Sequence, residues 1–152
     1  MKHYDALVFD LNGTLWLDAP TRTLPTGTHP DAPEVMNELS VEYPLYIVSN
    51  CHPMQMEEFL EAFDKNPFKE TVHFGKYGNS KQKNLEALKA NHGFKNPLYV
   101  GDSPSDQSAA LRAGYKFVWA AYTAENFELP SGPQLKTLKD LIKFVSLDPR
   151  EN

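Results

Sequence analysis

Three apolar runs in this chain each stop on a polar side chain. Ala6-Leu7-Val8-Phe9 stops on Asp10, Leu45-Tyr46-Ile47-Val48 on Ser49, and Pro97-Leu98-Tyr99-Val100 on Gly101-Asp102. Short runs that are apolar at successive positions suit strands covered on both faces. Helical patterns separate them. Asp31-Ala32-Pro33-Glu34 predicts a helix start, with Asp31 as N-cap, Pro33 in the first turn and Glu34 at the capping-box position; Val35, Met36 and Leu39 form its apolar face and Pro44 ends it. Pro53 opens a second helix, on which Met56, Phe59, Leu60 and Phe63 share one face. A third runs from a cap at Asn79-Ser80 to His92, with Leu85 and Leu88 inward and Gly93 as its stop. Ser103 or Ser105 caps a fourth, which carries Ala109, Ala110, Leu111 and Ala113, and Leu138, Leu141, Ile142 and Val145 mark a last one. Val72-His73-Phe74 and Lys116-Phe117-Val118-Trp119 predict two more strands.

Strands that alternate with helices form a parallel sheet covered on both faces. The expected fold is therefore α/β, a three-layer Rossmann-like domain with a parallel sheet of about five strands, and its length suits one domain over residues 1–152. Right-handed crossovers bring all carboxyl ends of such strands to one edge, so Asp10, Ser49 and Asp102 are expected in one crevice. Residues 12–30 hold Thr, Pro and Gly with little periodicity, which predicts a loop or loose hairpin beside that crevice. A formal charge of -5 argues against nucleic acid or an anionic membrane as the main partner. A single cysteine, Cys51, excludes an internal disulfide and fits the cytoplasm. Asp5 and Asp10 interrupt any signal-peptide pattern at the N-terminus, and no stretch is long enough to span a membrane.

The polar strand ends suggest phosphoryl chemistry. Asp10 and Asp102 at one edge repel unless a cation lies between them, and a set of hard oxygen donors suits Mg2+. Asp106 adds a third acid one helical turn on, and Lys81 at a helix start adds a positive charge. Lys76 and Lys83 compete for that role; Lys81 is preferred because Asn79 and Ser80 resemble the cap of the helix it opens. Ser49 offers a hydroxyl, with Asn50 beside it, and the turn from Leu11 to Thr14, Gly13 included, offers backbone amides. Such groups make a phosphate cradle, and a carboxylate that points into one can form an aspartyl-phosphate. Cys51 reads as small filler beside the site, and none of the five histidines has metal-ligand spacing.

Taken in order, Asp10-Leu11-Asn12-Gly13-Thr14, Ser49-Asn50, Lys81 and Gly101-Asp102-Ser103-Pro104-Ser105-Asp106 resemble the four signature motifs of the haloacid-dehalogenase-like (HAD) hydrolases. The resemblance runs from about Tyr4 to Tyr122. Within it, Tyr46-Ile47-Val48-Ser49-Asn50-Cys51 and Phe117-Val118-Trp119-Ala120-Ala121-Tyr122 are similar to the phosphoglycolate-phosphatase-like branch. The resemblance implies Asp10 as nucleophile and magnesium ligand, Ser49 and Asn50 at the phosphate, Lys81 neutralising both, and Asp102 with Asp106 at the metal. It also implies an acid/base residue at position 12, whose backbone carbonyl binds the metal.

Here the chain departs from the pattern it resembles. The phosphatases of that family carry D-x-D-G-T, and this chain has Asn12. An amide neither protonates a leaving group nor activates water, and loss of that help costs roughly 10²–10⁴-fold. Three consequences stand open: a slow phosphatase suited to good leaving groups, a catalytically weak phosphate- or phosphoprotein-binding module, or an Asn substituted for Asp or reverting to it by deamidation at Asn12-Gly13. The intervals between Asp10, Ser49 and Lys81 are too short for the cap domain usual in the family. The resemblance then implies an open site, for a macromolecular phosphorylated substrate or for a small one covered by a homo-oligomeric neighbour.

Overall fold

The computed structural model describes residues 2–17, 27–122 and 132–148. Six strands form one parallel sheet: β1 Ala6–Phe9, β2 Leu45–Val48, β3 Phe68–Val72, β4 Pro97–Gly101, β5 Lys116–Ala120 and β6 Gln134–Leu135. Their spatial order is β3-β2-β1-β4-β5-β6. Five helices accompany them: α1 Ala32–Ser40, α2 Pro53–Leu60, α3 Lys81–His92, α4 Pro104–Arg112 and α5 Asp140–Ser146. One apolar cluster joins Leu7, Phe9 and Ile47 to α1, α2 and α5, and a second joins Val8, Tyr46 and Tyr99 to α3 and α4. Successive side chains of a strand face opposite ways, so β1, β2, β4 and β5 feed both clusters and the fold has the three layers expected from the sequence. All four β1 side chains are fully buried; truncation of Leu7 to Ala would cost about 2–5 kcal/mol.

The chain enters the sheet at its centre. Strand β1 pairs with β2 on one side and β4 on the other. This is the point where strand order reverses, and open α/β sheets bind ligands in the crevice there, at the carboxyl ends. Asp10 follows β1 directly, and its N–H continues the ladder to Val100 O at 2.9 Å.

The third strand is Phe68–Val72 rather than Val72–Phe74. Only its two ends are buried, since it is an edge strand with Lys69, Glu70 and Thr71 between them; the chain then turns at His73–Gly78, where Gly75 has φ +88°. The sixth strand, two residues long, carries no periodic signal. Helix α1 starts where expected, yet the Asp31 side chain makes no capping bond and the capping box with Glu34 does not form. The Asp31 N–H that Glu34 would have taken donates instead to His29 Nδ1 at 3.0 Å. The helix ends at Ser40, short of Pro44. Helix α2 ends at Leu60, and Phe63 is buried in the turn beyond it. Leu138 likewise packs just before α5. The capping box is instead at α4, between Ser103 and Asp106, which selects Ser103 over Ser105 as the cap.

Of the expected hairpin over 12–30, residues 18–26 lie outside the described residues. Its base is antiparallel: Leu17 N–H donates to Gly27 O at 2.6 Å and His29 N–H to Leu15 O at 2.8 Å. Among the described residues no second domain interrupts the sheet, and no helix is long and apolar enough to cross a membrane.

Candidate active site

The crevice at the carboxyl edge gathers three acids and one lysine. Asp10, Asp102 and Asp106 each present a carboxylate oxygen within 4.8 Å of the others. The Lys81 ammonium donates to Asp10 Oδ1 at 3.0 Å and to Asp106 Oδ1. Lys81 is the first residue of α3, after the N-cap Ser80, whose hydroxyl accepts the Lys83 N–H. Lys76 pairs instead with Glu70 at 2.8 Å, and Lys83 is exposed. Of these three lysines, Lys81 is the one paired with the acids of the crevice.

Asp106 is held from several directions. Its Oδ2 accepts the N–H of Asp102 at 3.1 Å and of Ser103 at 3.3 Å, while its Oδ1 takes Lys81. Burial works against the ionised form, but Lys81 and these amides outweigh it and hold the Asp106 pKa below the usual carboxylate range. For Asp10, burial wins over the attraction of Lys81, and its pKa lies well above the usual range. Burial and the neighbouring Asp106 raise Asp102 to about 6. Burial alone would lower Lys81, but Asp10 and Asp106 together hold its pKa up. The cluster thus carries more negative charge than one ammonium offsets, and its donors are all hard oxygens. That composition fits a divalent cation.

Gly13 sits against this cluster with φ +82°, and a Cβ there would run into the Asp102 carboxylate. Two of the amides between Leu11 and Thr14 are already engaged. Gly13 N–H donates to Trp16 O at 2.7 Å and Thr14 N–H to Leu11 O at 3.1 Å. A phosphate would meet these two groups only after those bonds were released, so the observed role of Gly13 is to leave room for Asp102.

Ser49 is buried at the end of β2, its N–H bonded to Val72 O at 3.0 Å. Burial pushes the Cys51 thiol up, which suits the filler role. Asn50 is exposed on the rim. It lines a groove of about 420 Å³ with Asn79, Ser80, Lys81, Gln82, Ser105, Asp106 and Ser108.

Asn12 is not a bare replacement for an acid. Its Oδ1 accepts from Gln55 Nε2 at 2.6 Å, and its Nδ2 faces Gln55 Oε1 at 3.5 Å. The sequence reading missed Gln55, which looks like one more polar residue in the first turn of α2. It also missed Asn84. That buried amide accepts the N–H groups of Tyr77 and Gly78, each at 3.0 Å, and donates to Gly78 O, so it fastens the loop that delivers Lys81. Tyr122 is a third omission, its hydroxyl donating to Thr14 O at 2.7 Å.

Residues 25–120 match the sequence pattern of the haloacid dehalogenase-like hydrolases. The match includes Ser49, Lys81, Asp102 and Asp106, and begins after Asp10. A search of the curated proteins finds no match. Among solved structures, a haloacid dehalogenase-like family hydrolase from Streptococcus pneumoniae is similar at TM-score 0.73 and 17% identity, over 92% of this chain and 98% of that one. The L-2-haloacid dehalogenase from Xanthobacter autotrophicus, with chloropropionic acid covalently bound, is similar at 0.73 and 14%, over 93% and 98%. A predicted phosphoglycolate phosphatase from Haemophilus somnus gives 0.65 and 24%, over 77% of this chain and 56% of that protein. These likenesses are of fold, and they span both phosphatases and dehalogenases. The family pattern covers well over half of the sequence, and the chain belongs to the haloacid dehalogenase-like hydrolases.

Proposed function

We propose that this chain is a magnesium-dependent phosphatase-like hydrolase that attacks a phosphomonoester with Asp10 through an aspartyl-phosphate, and that Asn12 makes it slow. The observation that carries the proposal is the acid cluster: three carboxylates within 4.8 Å face one ammonium. Asp10 and Asp102, with the Asn12 carbonyl and Asp106 behind them, would hold Mg2+. The ion would supply the missing positive charge and polarise a phosphoryl oxygen.

The protein's own residues would do the rest. Lys81 fixes the Asp10 carboxylate and faces the transferred phosphate, with Ser49 beside it. An Asp10 oxygen bonds to phosphorus as the bond to the leaving oxygen breaks, and that oxygen takes its proton from water because Asn12 has none to give. A second water then cleaves the aspartyl-phosphate to regenerate Asp10 and release phosphate. We place the chain in the cytoplasm as a single catalytic core without a cap. Its phosphorylated substrate would be macromolecular, or small and covered by a second copy of the chain.

Asn12 also favours a second reading, a catalytically weak phosphate- or phosphoprotein-binding module. A panel of phosphomonoesters and 2-haloacids, assayed with and without Mg2+ for this chain and for Asn12→Asp, separates the possibilities. Magnesium-dependent phosphate release that rises in Asn12→Asp supports the enzyme. Halide release without Mg2+ overturns it. Phosphate binding without turnover in either form supports the binding module.

A further inference from the structure

Asn12-Gly13 is a sequence that readily loses ammonia, and an Asp at position 12 would restore the family motif. Deamidation needs two things. The Gly13 nitrogen must give up its proton and bond to Asn12 Cγ, and the Asn12 side chain must swing over that nitrogen. Ammonia then leaves from Nδ2, and water opens the succinimide to Asp or isoAsp.

Both requirements are obstructed in the fold. The Gly13 N–H is committed to Trp16 O at 2.7 Å, inside a turn whose Leu11 carbonyl also accepts from Thr14, Leu15 and Trp16. The Asn12 amide is held by Gln55 through a 2.6 Å bond to its oxygen and a longer one from its nitrogen. Gln55 belongs to α2, whose Met56 and Phe59 are anchored in the core. The clamp therefore ties the turn after β1 to a helix fixed elsewhere, and rotation of the Asn12 side chain toward Gly13 breaks it.

We infer that Gln55 is a positioning residue that keeps position 12 an amide in the folded protein. The working residue is then Asn12 itself, not a precursor of Asp that ages into place.

The test reads deamidation directly, with no substrate, so it stands or falls separately from the phosphatase proposal. This chain, Gln55→Met and Gln55→Ala are incubated at mildly alkaline pH, folded and in denaturant, and position 12 is followed by peptide mass. In denaturant all three should deamidate at one rate. Folded, the parent should be strongly protected, and both variants should lose ammonia several-fold faster, up to about tenfold for the loss of one net hydrogen bond. Thermal melts of the same samples show whether each stays folded, and the exposed Asn79-Ser80 step serves as an internal control. Acceleration at Asn12 with the melt and Asn79 unchanged supports the clamp. Equal rates in folded parent and variants overturn it. So does an acceleration no larger than the loss of fold stability accounts for.

Discussion

Gly13 and Asp102 meet so closely that no side chain fits between them. The turn after β1 and the loop after β4 are therefore built against each other, and glycine is required for two independent reasons. Its φ of +82° disfavours any side chain, and a Cβ would displace the Asp102 carboxylate. Gly13→Ala should lose about 1–2 kcal/mol from backbone strain alone, and more from the displaced acid. A denaturant melt measures the first effect. Loss of the Mg2+-induced rise in Tm measures the second.

Lys81 is the ion-pair partner of two buried acids, so its removal is felt in the fold as well as the site. Breaking a buried pair by truncation of one member costs about 3–5 kcal/mol. Lys81→Met should approach that range, whereas Lys76→Ala breaks a partly exposed pair with Glu70, worth about 0–1 kcal/mol, and a bond to Thr71 O. Tungstate, a phosphate analogue, should bind far more weakly to Lys81→Met than to Lys76→Ala. Titration calorimetry reads the difference.

Asn84 holds the loop in front of Lys81 from inside the protein. In Asn84→Leu the N–H groups of Tyr77 and Gly78 lose their acceptor, at about 1–3 kcal/mol for each that stays buried and unpaired. Hydrogen exchange at those two amides should speed up more than at the centre of α3. Unchanged exchange there would show that Asn84 does not hold the loop.

The pH dependence follows from Asp102. Its folded pKa of about 6 lies above the ordinary carboxylate value, so between about pH 4 and 6 the folded state binds more protons than the unfolded one. Stability without metal should then fall as pH rises through that window. Mg2+ competes with the same proton, so its affinity should climb over the same range, and further as Asp10, whose pKa is also raised, ionises. Melts at several pH values, with and without Mg2+, test both slopes, and Asp102→Asn should remove its own share of each and leave that of Asp10.

Much of this was legible in the sequence because the buried strands announce themselves. Ala6–Phe9, Leu45–Val48 and Pro97–Gly101 are apolar on both faces, and their carboxyl ends carry Asp10, Ser49 and Asp102 to one edge. Edge elements were harder. Strand β3 mixes charged and apolar residues because one side of it faces solvent, and the two residues of β6 hold no pattern. The supporting side chains were not legible for a different reason. Gln55 and Asn84 act on residues 43 and 6–7 positions away through geometry that only the folded loops create. The sequence also suggested a cradle of amides from Leu11 to Thr14, since it could not show that the N–H groups of Gly13 and Thr14 are already taken by Trp16 O and Leu11 O.

The central claim is that Asp10 attacks phosphorus with Mg2+ in place, while Asn12 leaves the second half of the reaction slow. Rapid mixing of the protein with an aryl phosphate tests it most directly, because such a leaving group departs without a donated proton. The account predicts a magnesium-dependent burst of phenolate equal to the protein present, then slow turnover. Intact mass should show a phosphorylated chain, and Asp10→Asn should abolish both signals. Absence of a burst and of a phosphorylated species, in folded protein that binds Mg2+, would contradict it, as would a burst that survives in Asp10→Asn.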